Sequence, residues 1–536
     1  MPSRTGVKRL SACAAALAFA GVIAPPHAAA QDAEERIRRL EEQLRAVTQE
    51  LQELKTIIAA ESEQAKAAVP PRGDPTEAQK AHLEVQAVSS GADALEERVQ
   101  TLEQRVGQQG IQARLSDGVI IEDSNQRWRV RLTGRALADY RSFSPDEVAS
   151  DTFSIRQARL GVNVQFLRDL AIYVEGEYAS TATNQNAFLT NAYVDWQVMS
   201  PALRLRMGQF KPLFGLEHTD RVPYFDFMER ALPASLIQNF LFDRGVMAAG
   251  QPTPGFYYGV SLTNGSGQNI DERQTNAIET EQDGKDFTAR LALNLAQAMA
   301  WQDSIVQAGV SYKRGKQANS TGNPYSAASL ITEGRGVTFF TPQAFNPTTG
   351  VAEVGEIDRR LQAVEAMLAH GPVKLQGEYL TARYAGERSI APVGSFDRDA
   401  SGYYVSAMWL ITGEHYADAY RDSFVQRIRP RNNFSWKDGT WGAWELGLRY
   451  SSVDASDFKS SNPSFTGRPS ASTTALVTGQ ATRAQAYTVG LKWMPNAYAR
   501  LMLNFVRTQF DDSIVIGGKE FSHENAFNFR AQFDFF

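Results

Sequence analysis

Among the 536 residues, the side chains whose type and spacing point to chemistry are arginines. Arg135, Arg159, Arg204 and Arg206 fall on the polar face of segments that alternate polar and apolar residues. Arg221, Arg230 and Arg244 lie within or just after a stretch rich in aromatics. Arginine stays protonated at any relevant pH, and its planar fork can pass a phosphate or carboxylate from one bidentate contact to the next. A ladder of such groups attracts anions while holding each weakly enough to release it. The opposite expectation comes from Glu175, Glu177, Asp195 and Glu229, whose carboxylates can pair with these arginines and leave a nearly neutral lining.

Other chemistry has little to stand on. The six histidines, His27, His82, His218, His370, His415 and His523, show no H-x-x-x-H or related spacing, so no metal is expected. A hydrolase would need a Ser-His pair, and His523, in the approach to the last apolar segment, reads instead as a loop histidine. Gly265-Ser266-Gly267 has no helical pattern after it and reads as a turn, not a nucleotide loop. No basic stripe offers itself to nucleic acid. Cys13 is the only cysteine and falls in the leader described below, so the mature protein has no disulfide and no thiol nucleophile. Neither an enzyme nor a cofactor protein is expected.

The arginine-bearing segments have a period of two. Val130, Leu132, Ala136 and Ala138 alternate with Arg129, Arg131, Thr133 and Arg135. Leu160, Val162, Val164 and Phe166 alternate with Arg159, Asn163 and Gln165, and Leu203, Leu205 and Met207 with Arg204 and Arg206. Successive side chains of a strand point to opposite faces, so each segment is a strand that is apolar on one side and wet on the other. The last stretch makes the point most clearly. Phe527, Phe529, Ala531, Phe533 and Phe535 share one face, and Asn528, Arg530, Gln532 and Asp534 share the other. Lipid outside and a polar lumen inside is the environment that requires both faces. About sixteen such segments predict an all-β fold, a transmembrane antiparallel β-barrel of about 16 strands over residues 120–536. Phe529, Phe533, Leu446, Leu448, Val489 and Leu491 are expected to face lipid, and Phe424 to Arg429 reads as either strand or loop. The formal net charge of -5, the 21% of charged residues and a mean hydropathy of -0.35 argue against a helical membrane protein. No mature stretch reaches the roughly 18 apolar residues of a spanning helix.

The connections alternate in length. Short ones follow Phe166, Met199, Gly250, His370 and Met494, and long polar ones run from Asn264 to Asp286, Arg314 to Glu356 and Ala455 to Thr482. Barrels place short turns on the periplasmic side and long loops outside. Pro212 to Asp243 differs, because Phe214, Leu216, Phe225, Phe227, Leu232 and Ile237 are too many apolar groups for an exposed loop. Its composition predicts either a loop folded into the lumen or a subunit contact.

The N-terminus supplies the compartment. Arg4, Lys8 and Arg9, an apolar run from Leu10 to Ile23, and Ala28 to Ala30 predict a signal peptide over residues 1–30. In residues 31–110, Ile37, Leu40, Leu44, Val47, Leu51, Leu54 and Ile58 keep a strict heptad, and Leu95, Val99, Leu102 and Val106 repeat it. That spacing predicts an α-helical coiled coil in the periplasm, interrupted by a Pro-rich linker near residues 67–76.

RQARLGV at 156–162, NAYVDW at 191–196, MGQFKPLFG at 207–215, FMERAL at 227–232, TGEHY at 412–416 and WGAWELGLRYS at 441–451 occur in order along the chain. On these segments the sequence resembles the phosphate-selective porin O and P family. The resemblance implies a sixteen-stranded homotrimeric barrel in the bacterial outer membrane, in contact with its lipids. It also implies an inward loop and a water-filled channel, lined by basic residues, through which small solutes diffuse. Anions such as phosphate are the expected solutes. Lysines in the same region are sparse and scattered, so a general non-selective porin, or a barrel that only anchors the periplasmic stem, stands as the alternative.

Overall fold

The computed structural model describes residues 111–535, apart from 117, 124–126, 180–186, 241, 270–283, 319–328, 343–355, 389–393 and 460–479. The expected signal peptide, the coiled-coil region with its linker, and Phe536 lie outside the described residues.

Strong alternation makes strands here because one face can be buried in the lumen only if the other is apolar. The first eight wall strands are β1 (Trp128–Ser144), β2 (Thr152–Phe166), β3 (Leu170–Glu177), β4 (Phe188–Met199), β5 (Leu203–Phe210), β6 (Asp243–Thr253), β7 (Phe256–Thr263) and β8 (Asp286–Asn294). The other eight are β9 (Ser304–Ala318), β10 (Glu356–His370), β11 (Val373–Arg388), β12 (Gly394–Leu410), β13 (Ala443–Asp454), β14 (Arg483–Met494), β15 (Ala499–Ile516) and β16 (Lys519–Phe535). Each is antiparallel to the next, and β16 returns to β1 with Phe529 opposite Tyr140 and Phe535 opposite Gly134, so the sheet is a closed ring. Closure removes the unpaired edges that a membrane would not tolerate.

A leading hairpin, Ile111–Ser116 and Gly118–Asp123, continues the β1 edge past the end of β16. Val119 faces Leu132 and Glu122 faces Arg129 across this pairing, and Arg129 donates to Glu122 at 2.7 Å.

The outward face is the expected one. Phe533 (52% exposed), Val489 (46%) and Leu448 (55%) point away from the lumen, with Leu446, Leu491 and Phe529 on the same parity. The lumen face is not bare. Arg530 and Asn528 are 1% exposed and Asp534 is fully buried, so something fills the barrel beside them.

Short turns cluster at one end, after β2, β4, β6, β10 and β14, and by the barrel asymmetry this is the periplasmic end. Exceptions occur at both ends. Residues 411–442, between β12 and β13, leave the short-turn end as a long segment whose only strands are the hairpin Tyr420–Arg421 and Phe424–Val425. Phe424 to Arg429 is therefore not a wall strand. At the opposite end β15 and β16 meet through Gly517 and Gly518, whose φ values of 58° and 80° are those a tight hairpin needs and side chains resist. Wall height is uneven: β3, β5 and β7 have 8 residues each, whereas β15 has 18 and β16 has 17.

Candidate channel lining

The stretch from Lys211 to Phe242 crosses the lumen. It leaves β5, makes one helical turn at Leu216–Thr219 and two 3-10 segments at Val222–Tyr224 and Leu232–Phe240, and returns to β6. One side is fixed to β9 and β11: Gly215 N donates to Ser311 Oγ at 2.8 Å, and Leu216 N and Glu217 N donate to the Glu378 carboxylate at 3.0 and 3.3 Å. The far side is fixed to β13–β16 by side chains that donate to its carbonyls. Arg449 reaches Glu229 O at 3.0 Å, Lys492 reaches Phe225 O at 3.0 Å, Arg530 reaches Met228 O at 2.6 Å and Gln532 reaches Pro223 O at 2.9 Å. Such bonds satisfy the backbone of a loop that has no sheet partner.

Phe227 pins the crossing. Its ring sits over paired Gly447 and Gly490 on β13 and β14, where an added Cβ would come within 3.0 and 2.9 Å of ring carbons. The Arg449 guanidinium caps the ring at 4.5 Å from its centre. Beyond Phe227, Leu232, Leu236 and Ile237 pack with Leu330, Phe339, Leu361 and Leu380 and close the loop-end half of the lumen beside β10–β14.

A second plug enters from the short-turn end. In the 411–442 connection, Tyr416, Val425 and Ile428 pack against Met367, Leu410 and Met494. Arg427 donates to Asp534 at 2.6 Å, Tyr416 Oη to Glu445 at 2.6 Å, and Arg290 to Ser423 Oγ at 2.6 Å. This connection carries aromatic and branched residues as the inward loop does, but Arg421, Arg427, Arg429 and Arg431 interrupt them. Between the two plugs a cavity of about 20 Å³ remains beside Asp226, Lys374, Tyr404 and Ser406, room for a water and not for a solute.

The lumen face of β1–β5 is different. Asn163, Gln165, Tyr173, Tyr193 and Asp195 all keep contact with solvent. Here four of the seven expected arginines come together. Arg135 lies opposite Arg159 across β1 and β2. Arg135 donates to Glu175 at 3.3 Å, and Arg159 donates to Glu177 at 2.7 Å and to Glu175 at 3.2 Å. Arg206 holds Asp195 with both arms at 2.6 and 2.7 Å and lies 3.7 Å from the Tyr193 ring centre. Arg204 stands 3.9 Å from the same carboxylate with its side chain 38% exposed.

Arg221 is exposed on the inward loop, close enough to Glu175, Tyr173 and Tyr193 to interact electrostatically with them. Arg230 stays within the loop, donating to Glu217 O at 3.1 Å and lying over Phe225 at 4.5 Å. Arg244 does not join the others. It shares its face of β6 with outward-pointing Val246 and donates to Gln209 at 3.2 Å.

A further cluster was not anticipated. Arg141 on β1, Arg156 on β2, Arg335 from the β9–β10 connection and Arg530 on β16 surround Glu229 at 2.7, 2.8, 3.6 and 3.1 Å. Asp139 takes Arg141 at 2.6 Å and Arg530 at 2.7 Å. The lumen parity of Asp139, Arg141 and Arg530 was legible. Their meeting at Glu229 was not, since it depends on where the loop lands.

A family model described as phosphate-selective porin O and P matches residues 130–535. No curated protein matches the chain. Among solved structures it is similar to an anion-selective porin from Comamonas acidovorans, at 12% identity over 76% of this chain and 100% of that one, with a TM-score of 0.44. OprB of Pseudomonas putida is similar at 9% identity over 76% and 94%, with a TM-score of 0.47. OmpT of Vibrio cholerae, in a trimer form, is similar at 12% identity over 76% and 99%, with a TM-score of 0.43.

Proposed function

We propose, for a chain that belongs to the phosphate-selective porin O and P family, that its barrel is an outer-membrane channel for small solutes whose lining favours anions, phosphate among them. The path runs between the inner face of β1–β5 and the loop that carries Arg221. Charge balance along that path carries the reading. On the wall, Arg135, Arg159, Arg204 and Arg206 face three carboxylates, those of Glu175, Glu177 and Asp195. Around Glu229 and Asp139 four guanidiniums meet two carboxylates. Both clusters are formally positive, and a guanidinium has five N–H donors, more than one carboxylate can occupy. Arg204, Arg221 and Arg335 are the members a solute meets first, being at least partly exposed.

A general, non-selective porin is the second reading. Direct pairing of Glu175, Glu177 and Asp195 with the wall arginines favours it, because paired charges project a weak field into water. Purified protein in a planar bilayer under a KCl gradient separates the two. The expected result is a reversal potential on the chloride side that shrinks in Arg221→Ala and Arg335→Ala, with added phosphate lowering the chloride current. A potential near zero assigns the general porin, cation preference overturns the anion reading, and no conductance leaves a barrel that only anchors its stem.

The same reading makes the protein a homotrimer. An eight-residue strand such as β3 or β5 spans about 26 Å along its axis and, tilted, about 20 Å in height, short of the roughly 25 Å apolar band of a barrel. Ile172, Val174, Trp196 and Met207 are exposed on this low wall, and neighbouring copies would cover them. The heptads at 37–58 and 95–106 would supply the periplasmic coiled coil.

A further inference from the structure

The connection between β12 and β13 has two halves. The first enters the lumen, and the second, residues 433–441, folds back against the outside of the wall. There Phe434 packs edge-on against Trp493 at 5.2 Å and lies 6.1 Å from Trp441, while Trp436 and Trp441 are 5.9 Å apart. Trp444 and Trp493 stack at 5.6 Å. They share the outward parity of Leu446, Leu448 and Val489, so the group sits on the outer surface at the short-turn rim. It is held and not frayed: Trp493 Nε1 donates to Trp441 O at 2.7 Å, Phe434 N donates to Pro495 O at 2.7 Å, and Ser435 and Thr440 exchange backbone bonds at 3.0 and 3.1 Å. Yet Trp436 is 78% exposed and Trp441 56%.

We propose that residues 433–441 are a membrane-interface anchor that seats Trp436 and Trp441 among the phospholipid headgroups of the periplasmic leaflet. Two observations choose this occupant. The cluster continues the lipid-facing wall without a break, and Trp409, ending neighbouring β12, is also exposed at this rim. Indoles have an apolar body and a polar edge and settle at such depths. Lys437 at the hairpin tip is exposed, and its charge complements lipid phosphate. The anchor therefore fastens from outside the same connection that plugs the lumen through Tyr416, Val425 and Arg427. It holds whichever ions the channel prefers.

The full-length protein is reconstituted in phosphatidylcholine and phosphatidylglycerol vesicles with brominated acyl chains, and tryptophan emission is compared with that of Trp436→Phe/Trp441→Phe, whose rings keep the packing. The expected result is that the bromolipid-quenchable emission falls in the double variant while the iodide-quenchable part is unchanged. If the emission lost in the variant is quenched by aqueous iodide instead, the loop lies in water and the proposal is wrong. If neither quencher reaches it, protein covers the two tryptophans, which also overturns the lipid seat.

Discussion

Arg530, on the last strand, donates to Asp139 at 2.7 and 2.8 Å across the seam where the barrel closes, and to Met228 O at 2.6 Å on the inward loop. Its side chain is 1% exposed, so these bonds are made in a place where water cannot replace them. Arg530→Met keeps the stem but takes a donor from three acceptors, Asp139, Glu229 and Met228 O. Removing one partner of a buried pair typically costs about 3 to 5 kcal/mol, and the low end is expected because Arg141 still holds Asp139 and Glu229. Urea unfolding in detergent should show the lower midpoint, and an unchanged midpoint would mean that the seam does not depend on this residue. That Arg530, Arg135, Arg159, Arg204 and Arg206 turn inward was readable, because bulky apolar neighbours mark the opposite face. Arg244 was not readable, since Gly245, Ala248, Ala249 and Gly250 give its strand almost no contrast between faces.

At the scale of elements, the inward loop is positioned by shape as much as by hydrogen bonds. Two glycines on neighbouring strands leave the hollow that Phe227 fills. Phe227→Ala empties the hollow, and Gly490→Ala puts a methyl 2.9 Å from a ring carbon and pushes the loop off the wall. Both variants should show larger and noisier single-channel currents than the unmodified protein. Traces indistinguishable from it would mean that the loop is held without the pin. The loop itself was legible from apolar residues crowded into one connection. The 411–442 plug obeys the same criterion but is interrupted by Arg421, Arg427, Arg429 and Arg431, whose charge hides the apolar stripe until Asp534 is seen to accept from Arg427.

At the scale of the whole described barrel, a ring of sixteen strands is filled beside β10–β14 and keeps contact with solvent along β1–β5. The ring was legible because lipid demands an unbroken apolar face. The filling was not, because strands such as β10 carry apolar groups on both faces: Val364 and Leu368 outward, Leu361 and Met367 inward. Inward apolar groups are explained only once the two plugs are in place to cover them. The proposed channel is therefore expected to have an off-centre route, with solutes passing along β1–β5 beside the packed lumen face of β10–β14.

Cysteine modification during conduction tests that route most directly, since Cys13 is the only native cysteine. Arg204→Cys lies on the open wall, and Ser406→Cys lies in the filled half, where Ser406 is 1% exposed. With a charged methanethiosulfonate reagent added to the bath, current through the Arg204→Cys channel should change within the recording while that through Ser406→Cys stays constant. Modification of Ser406→Cys, with Arg204→Cys unaffected, would place the path on the opposite side of the barrel and contradict the account.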